Sequence, residues 1–103
     1  VPVFCCGQKM EYLEPNTVEA SNEKHIPVVE VKGSQVHVNV GSVDHPMVPE
    51  HFIEWVYVET ENGGYRKELH PDSAPNVVFE LGNDKAVAVY AYCNLHGLWM
   101  TKL

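Results

Sequence analysis

The sequence predicts an all-β domain, an immunoglobulin-like antiparallel β-sandwich of about seven strands. Three observations predict it. After residue 26, β-branched and other apolar residues recur on alternate positions. Gly, Asn, Asp or Pro separates the successive runs. No stretch carries a convincing helical period, so helix content is expected to be small.

The first two strands, Pro27 to Lys32 and Gln35 to Val40, flank Gly33-Ser34, a two-residue hairpin turn. Val36, Val38 and Val40 then share the buried face, and His37 and Asn39 look outward. Phe52 to Glu61 sets Ile53, Trp55 and Tyr57 against Phe52, Val56 and Val58. A run that is apolar on both sides belongs in the middle of a sheet. It closes at Asn62-Gly63-Gly64. Tyr65 to Leu69, Asn76 to Leu81 and Lys85 to Tyr92 follow, separated by the Pro71 to Pro75 loop and the Gly82-Asn83-Asp84 turn. Trp99 to Lys102 adds a short last strand. Residues 1 to 22 differ in character, with Cys5-Cys6-Gly7 and then a polar stretch to Asn22, and read as an N-terminal arm or linker. There is no internal repeat.

With 103 residues the chain fits a single domain. Its 45% hydrophobic and 20% charged content is that of a globular protein, and no apolar run approaches the roughly 20 residues that span a bilayer. A net charge of -7 leaves no extended basic surface for phosphates, which argues against nucleic acid as a partner. The same charge repels a small anion, so an anionic substrate would need a local cation where it enters. Three cysteines make no disulfide framework, and Cys5 and Cys6 are too close along the chain for an unstrained bridge. Reduced thiols in the cytoplasm are expected. The start at Val1, with no basic-then-apolar leader, reads as a processed or incomplete beginning rather than a signal peptide.

The chemistry is concentrated at strand ends. His25 precedes Pro27, His45 and His51 surround the loop stiffened by Pro46 and Pro49, and Cys93 and His96 follow directly on a strand. Loops at one end of a sandwich can converge while the packed sheets hold them still. A lone loop histidine is more often solvated or hydrogen-bonded than a ligand, and His37 and His70 are read that way. The other four imidazoles and the Cys93 thiol together supply a metal centre. Structural zinc closes at four ligands and is richer in thiolate, and hard ions prefer carboxylates. Four nitrogens and one sulfur exceed a tetrahedron and leave one octahedral position free, the arrangement iron uses with an axial thiolate for one-electron or oxygen chemistry.

Four ordered motifs carry a resemblance. Glu23-Lys24-His25-Ile26-Pro27, Val40-Gly41-Ser42-Val43-Asp44-His45-Pro46-Met47, His51-Phe52-Ile53-Glu54-Trp55 and Tyr92-Cys93-Asn94-Leu95-His96-Gly97 resemble the superoxide reductase family, also called neelaredoxin and desulfoferrodoxin. The resemblance covers residues 22 to 103. It implies a mononuclear iron with His25, His45, His51 and His96 equatorial and Cys93 axial. It also implies one-electron reduction of superoxide to hydrogen peroxide, an external donor such as rubredoxin, and a homo-oligomer, dimer or tetramer. Lys24 matches the family lysine that attracts superoxide, and Glu23 the glutamate that binds ferric iron at the sixth position. Two-iron members carry an additional rubredoxin-like site built from a Cys-x-x-Cys pair and a later Cys-Cys pair. Cys5-Cys6 is similar to the later half alone, so residues 1 to 22 resemble a remnant of that domain, followed by the iron-binding sandwich in 23 to 103. A competing reading is a blue-copper electron carrier using Cys93, His96 and Met100, which leaves two of the upstream histidines without a task.

Overall fold

The computed structural model describes residues 3–103, so the part of the expected arm at positions 1 and 2 lies outside the described residues. The arm begins with a small hairpin of β1 (Phe4–Cys5) and β2 (Gln8–Lys9). One helical turn, α1 (Asn22–His25), precedes the sandwich. Its three-stranded sheet contains β3 (Pro27–Lys32), β4 (Gln35–Val40) and β7 (Asn76–Glu80) in the order β3-β4-β7. The four-stranded sheet contains β5 (Ile53–Thr60), β6 (Gly63–Glu68), β8 (Ala86–Cys93) and β9 (Gly97–Lys102) in the order β6-β5-β8-β9. All pairings are antiparallel. The nearly all-β architecture expected from the period-two pattern is observed. Among the described residues no helix is long and apolar enough to cross a membrane.

The core forms where the two inner faces meet. Val36, Val38, Val40 and Phe79 from one sheet pack against Val56, Val58, Val89 and Ala91 from the other, all essentially inaccessible to water. At roughly 1.5–3 kcal/mol for each fully buried aliphatic or aromatic side chain, this cluster is the main stabilising element of the fold. β5 is central, as its two-sided apolar pattern requires. Strict alternation would set Ile53 on the face opposite Val56. A register shift between Ile53 and Trp55 against β8 absorbs one residue and turns Ile53 into the core.

β6 is an edge strand and exposed along its whole length. Its Lys67 reaches over the sandwich rim, with the ammonium 5.5 Å from the Phe79 ring centre and donating to the Val78 carbonyl at 2.7 Å, so an inward-leaning charge guards that edge. The end of the sandwich far from the histidines is tied by Asp84, which accepts from the Thr60 hydroxyl at 2.7 Å and from the Asn62 amide at 3.2 Å.

Candidate metal centre

His25 reaches the site from α1, where the sequence suggested only a loop before Pro27. The turn is closed by the Ile26 N–H donating to the Asn22 carbonyl at 3.0 Å. It stops there because a residue before proline avoids helical angles, and Ile26 has φ -69 and ψ 121. The His25 Nδ1 lies 2.7 Å from the Ser21 carbonyl. A carbonyl can only accept, so Nδ1 carries the proton and Nε2 presents a lone pair to the interior. His45 is fixed the same way, its Nδ1–H donating to the Pro46 carbonyl at 2.7 Å. Its Nε2 stands 3.2 Å from His25 Nε2, with both nitrogens in the lone-pair state. Two such lone pairs repel unless a cation sits beside both.

His51 comes from the short bridge in which it and Val48 exchange backbone bonds at 3.0 and 3.1 Å. Its Nε2 is buried with no hydrogen-bond partner. Cys93 ends β8 and pairs with Gly97 at the start of β9, so Asn94, Leu95 and His96 form a three-residue hairpin loop. His96 Nδ1 then lies 3.1 Å from His25 Nε2 and 3.9 Å from the Cys93 sulfur.

The four imidazoles form a square. Neighbouring ring centres are 4.6 Å apart for His25–His45 and for His45–His51, 5.1 Å for His51–His96 and 4.9 Å for His25–His96, and the His25–His51 diagonal is 6.2 Å. Adjacent rings stand nearly perpendicular, between 78° and 85°. The donor atoms of His25, His51, Cys93 and His96 all lie within 4.8 Å of one another, and His45 joins through its close approach to His25. At the roughly 2.1 Å of an imidazole–metal bond, donors at right angles stand about 3 Å apart, which fits the two close nitrogen pairs. The inward lone pairs, the orphaned His51 nitrogen and the adjacent sulfur are a donor set matched to one metal ion.

The electrostatics agree. Burial lowers the proton affinity of His25, His45 and His51, and His45 falls to about 4, so near neutral pH these imidazoles are uncharged and free to act as donors. The Lys24 charge adds to the lowering at His25 and His51, which puts its ammonium within electrostatic reach of the square. Burial raises the Cys93 thiol, opposed by the Leu95 and His96 backbone N–H groups aimed at the sulfur. Loading a cation must therefore displace a thiol proton. The Glu23 carboxylate is not in the cluster; its own backbone N–H holds it below the usual carboxylate range.

Three residues that motif spacing did not single out shape the site. Asn94 accepts from the Phe52 N–H at 3.0 Å and donates to the Glu50 carbonyl at 3.1 Å, gripping the chain on either side of His51. Trp99, 1% exposed, lays its ring 4.8 Å from that of His25 and donates from Nε1 to the His96 carbonyl at 3.2 Å. Gly41, at φ +86, lets the turn after β4 press against α1 so that the Val43 N–H bonds the Glu23 carbonyl at 2.9 Å. An asparagine inside a Cys-x-x-His loop and a glycine directly after a strand were the available signals. His37, bonded to Gln35 at 3.1 Å, and exposed His70 stay outside the square, as expected.

A family model described as Desulfoferrodoxin matches residues 17–102. The chain belongs to the desulfoferrodoxin family. A desulfoferrodoxin homolog from Archaeoglobus fulgidus is 45% identical over 99 residues, covering 96% of this chain and 78% of the relative. A superoxide reductase from Pyrococcus horikoshii is 39% identical over 95 residues, covering 75% of this chain and 83% of that protein. Among solved structures, the superoxide reductase from Treponema pallidum superposes with a TM-score of 0.92 at 48% identity, covering 99% of this chain and 85% of that one. The blue-copper alternative is not favoured. Met100 pairs with Tyr90 on β8, three residues from Cys93 and so on the opposite face of the sheet, which keeps its thioether away from the sulfur it would have to join.

Proposed function

We propose that this member of the desulfoferrodoxin family is a superoxide reductase whose mononuclear non-haem iron is held by His25, His45, His51, His96 and Cys93. The observation that carries the reading is the square of imidazoles with inward lone pairs beside a buried thiol. Bound there, iron supplies the single electron, passing from ferrous to ferric, that with two protons converts superoxide into hydrogen peroxide. Lys24 furnishes the local cation that an anion needs to approach a chain of net charge -7. Glu23, adjacent to Lys24, would supply a carboxylate to the iron when it is ferric. The Trp99 ring and the buried shell behind the histidines keep bulk water from the rear of the site.

The family resemblance supports an external one-electron donor of the rubredoxin type, a homo-oligomeric state and a cytoplasmic location. It also supports residues 1 to 22 as an arm that retains part of a rubredoxin-like domain, and 23 to 103 as the catalytic sandwich. Cys5 and Cys6, exposed with their sulfurs 3.1 Å apart, offer two of the four thiolates such a second site would need.

The test combines metal analysis with pulsed generation of superoxide. Stoichiometric iron, and one peroxide formed for each superoxide and each electron consumed, are expected. Stoichiometric copper or zinc, or the oxygen release of a dismutase, would overturn the proposal. Cys93→Ser is expected to retain the β-sheet circular dichroism while losing the thiolate-to-ferric absorption band and the reduction of superoxide.

A further inference from the structure

Trp99 is the largest fully buried side chain among the described residues, yet it stands outside the apolar cluster that fills the space between the sheets. Its place is the metal end. On β9 it pairs with buried Ala91, so strand alternation turns Trp99 and Thr101 to the inner face, where the Thr101 hydroxyl donates to the Pro27 carbonyl at 2.5 Å, two residues after His25. The ring that results lies against an imidazole.

His45 and His96 meet the His25 ring edge-on, at 79° and 85°, and the Ser21 carbonyl takes its Nδ1–H. Trp99 meets it differently. The two ring centres are 4.8 Å apart at an interplanar angle of 32°, an inclined face contact within the range of offset stacking. Both partners are dry, with His25 2% and Trp99 1% exposed. The indole is also fixed in place, from inside by its Nε1–H on the His96 carbonyl and from outside by Asn16. At φ 62, Asn16 hooks the free edge of β9 on either side of Trp99, its N–H bonding the Leu98 carbonyl at 3.0 Å and its side chain bonding the Met100 N–H and carbonyl at 2.8 and 3.1 Å.

We infer that Trp99 is a positioning residue of the metal centre whose electron-rich indole face stabilises the positive charge His25 takes on when an ion binds. The inference rests on the metal centre proposed above. An imidazole that gives its lone pair to a cation loses electron density and becomes partly positive. The face of an indole carries the strongest negative quadrupole of the aromatic side chains, and here no water screens the attraction. The stabilisation grows with the charge of the ion, so Trp99 favours a ferric over a ferrous centre and holds the reduction potential down.

Fluorinated tryptophans test this, because each fluorine drains electron density from the indole face while nearly conserving its volume, which a packed site tolerates. The chain has two tryptophans, so Trp55→Phe leaves Trp99 as the sole position labelled. Zinc affinity of the metal-free chain, read by chelator competition, is expected to fall stepwise with the number of fluorines, about threefold in all. The midpoint potential of the iron-loaded protein is expected to rise by about 30 mV, the same factor at 59 mV per tenfold for one electron. Fluorine also makes the indole N–H a stronger donor, so a residue that did no more than hold the His96 carbonyl would leave zinc affinity level or raise it. Either result would overturn the role given to Trp99 and leave the metal centre standing. A chain that takes up no ion at all would overturn both.

Discussion

Gly41→Ala probes how the end of β4 seats α1. An added Cβ would press on the Val43 carbonyl oxygen and lie 2.6 Å from the Glu23 carbonyl oxygen and 2.7 Å from the Lys24 carbonyl carbon. All three are backbone atoms, so no side chain can swing away. The left-handed φ of +86 alone costs alanine about 1–2 kcal/mol, and forcing packed backbone apart adds about 1–3 kcal/mol. A total of roughly 2–5 kcal/mol is a large part of the about 5–15 kcal/mol that holds a domain folded. Gly33→Ala is the control, because Gly33 has φ +60 but nothing within 4 Å of its added carbon, so only the conformational part, about 1–2 kcal/mol, is expected. Urea unfolding of both metal-free variants measures the difference. Since the Val43–Glu23 bond positions the turn bearing Lys24 and His25, Gly41→Ala should also weaken metal binding while Gly33→Ala does not. Equal losses in the two variants, or unchanged metal affinity in Gly41→Ala, would refute the seating role.

Asn94→Ala removes both bonds that grip the chain around His51 and is expected to cost about 1–3 kcal/mol and lower metal affinity about tenfold, read by chelator competition. The unfolded metal-free chain binds protons at its histidines near the ordinary value of 6.5, whereas folded His45 does so only near 4. The unfolded state therefore holds more protons between those values, and stability should be full above about 6.5 and decline as pH falls toward 4; a urea midpoint flat across that window would contradict the burial assigned to these rings. Lys24→Ala should slow the second-order reaction with superoxide and flatten its ionic-strength dependence, and unchanged kinetics would remove Lys24 from the approach path.

Seven sandwich strands were legible because a sheet buried on one face writes its period directly into residues such as Val36, Val38 and Val40. The position of Ile53 was not, because a bulge changes the face of a residue without changing the local composition. Sequence alone puts His25 in a loop because the four residues of α1 are too few to show a helical period. The site histidines could be picked out as a set from their clustering at strand ends, but not their cyclic order, which depends on how α1 and the hairpin loops meet in space. The Asn94 clamp and the Trp99 stack depend on contacts across tens of residues and have no local signature. The blue-copper alternative failed on period two: three positions along a paired strand reverse the face, and with it the side on which Met100 lies.

The donor residues belong to chain segments that lead into different layers, His25 before β3 of one sheet, His51 before β5 and Cys93 at the end of β8 of the other. An ion gripped by all of them would act as a rivet through one rim, while the opposite rim is tied by hydrogen bonds such as those of Asp84 to Thr60 and Asn62 and of the Leu81 N–H to the Ser34 carbonyl. Withdrawing the ion should loosen the molecule unevenly, with the histidine end opening first and exchanging its amide hydrogens faster while the Asp84 end stays shut.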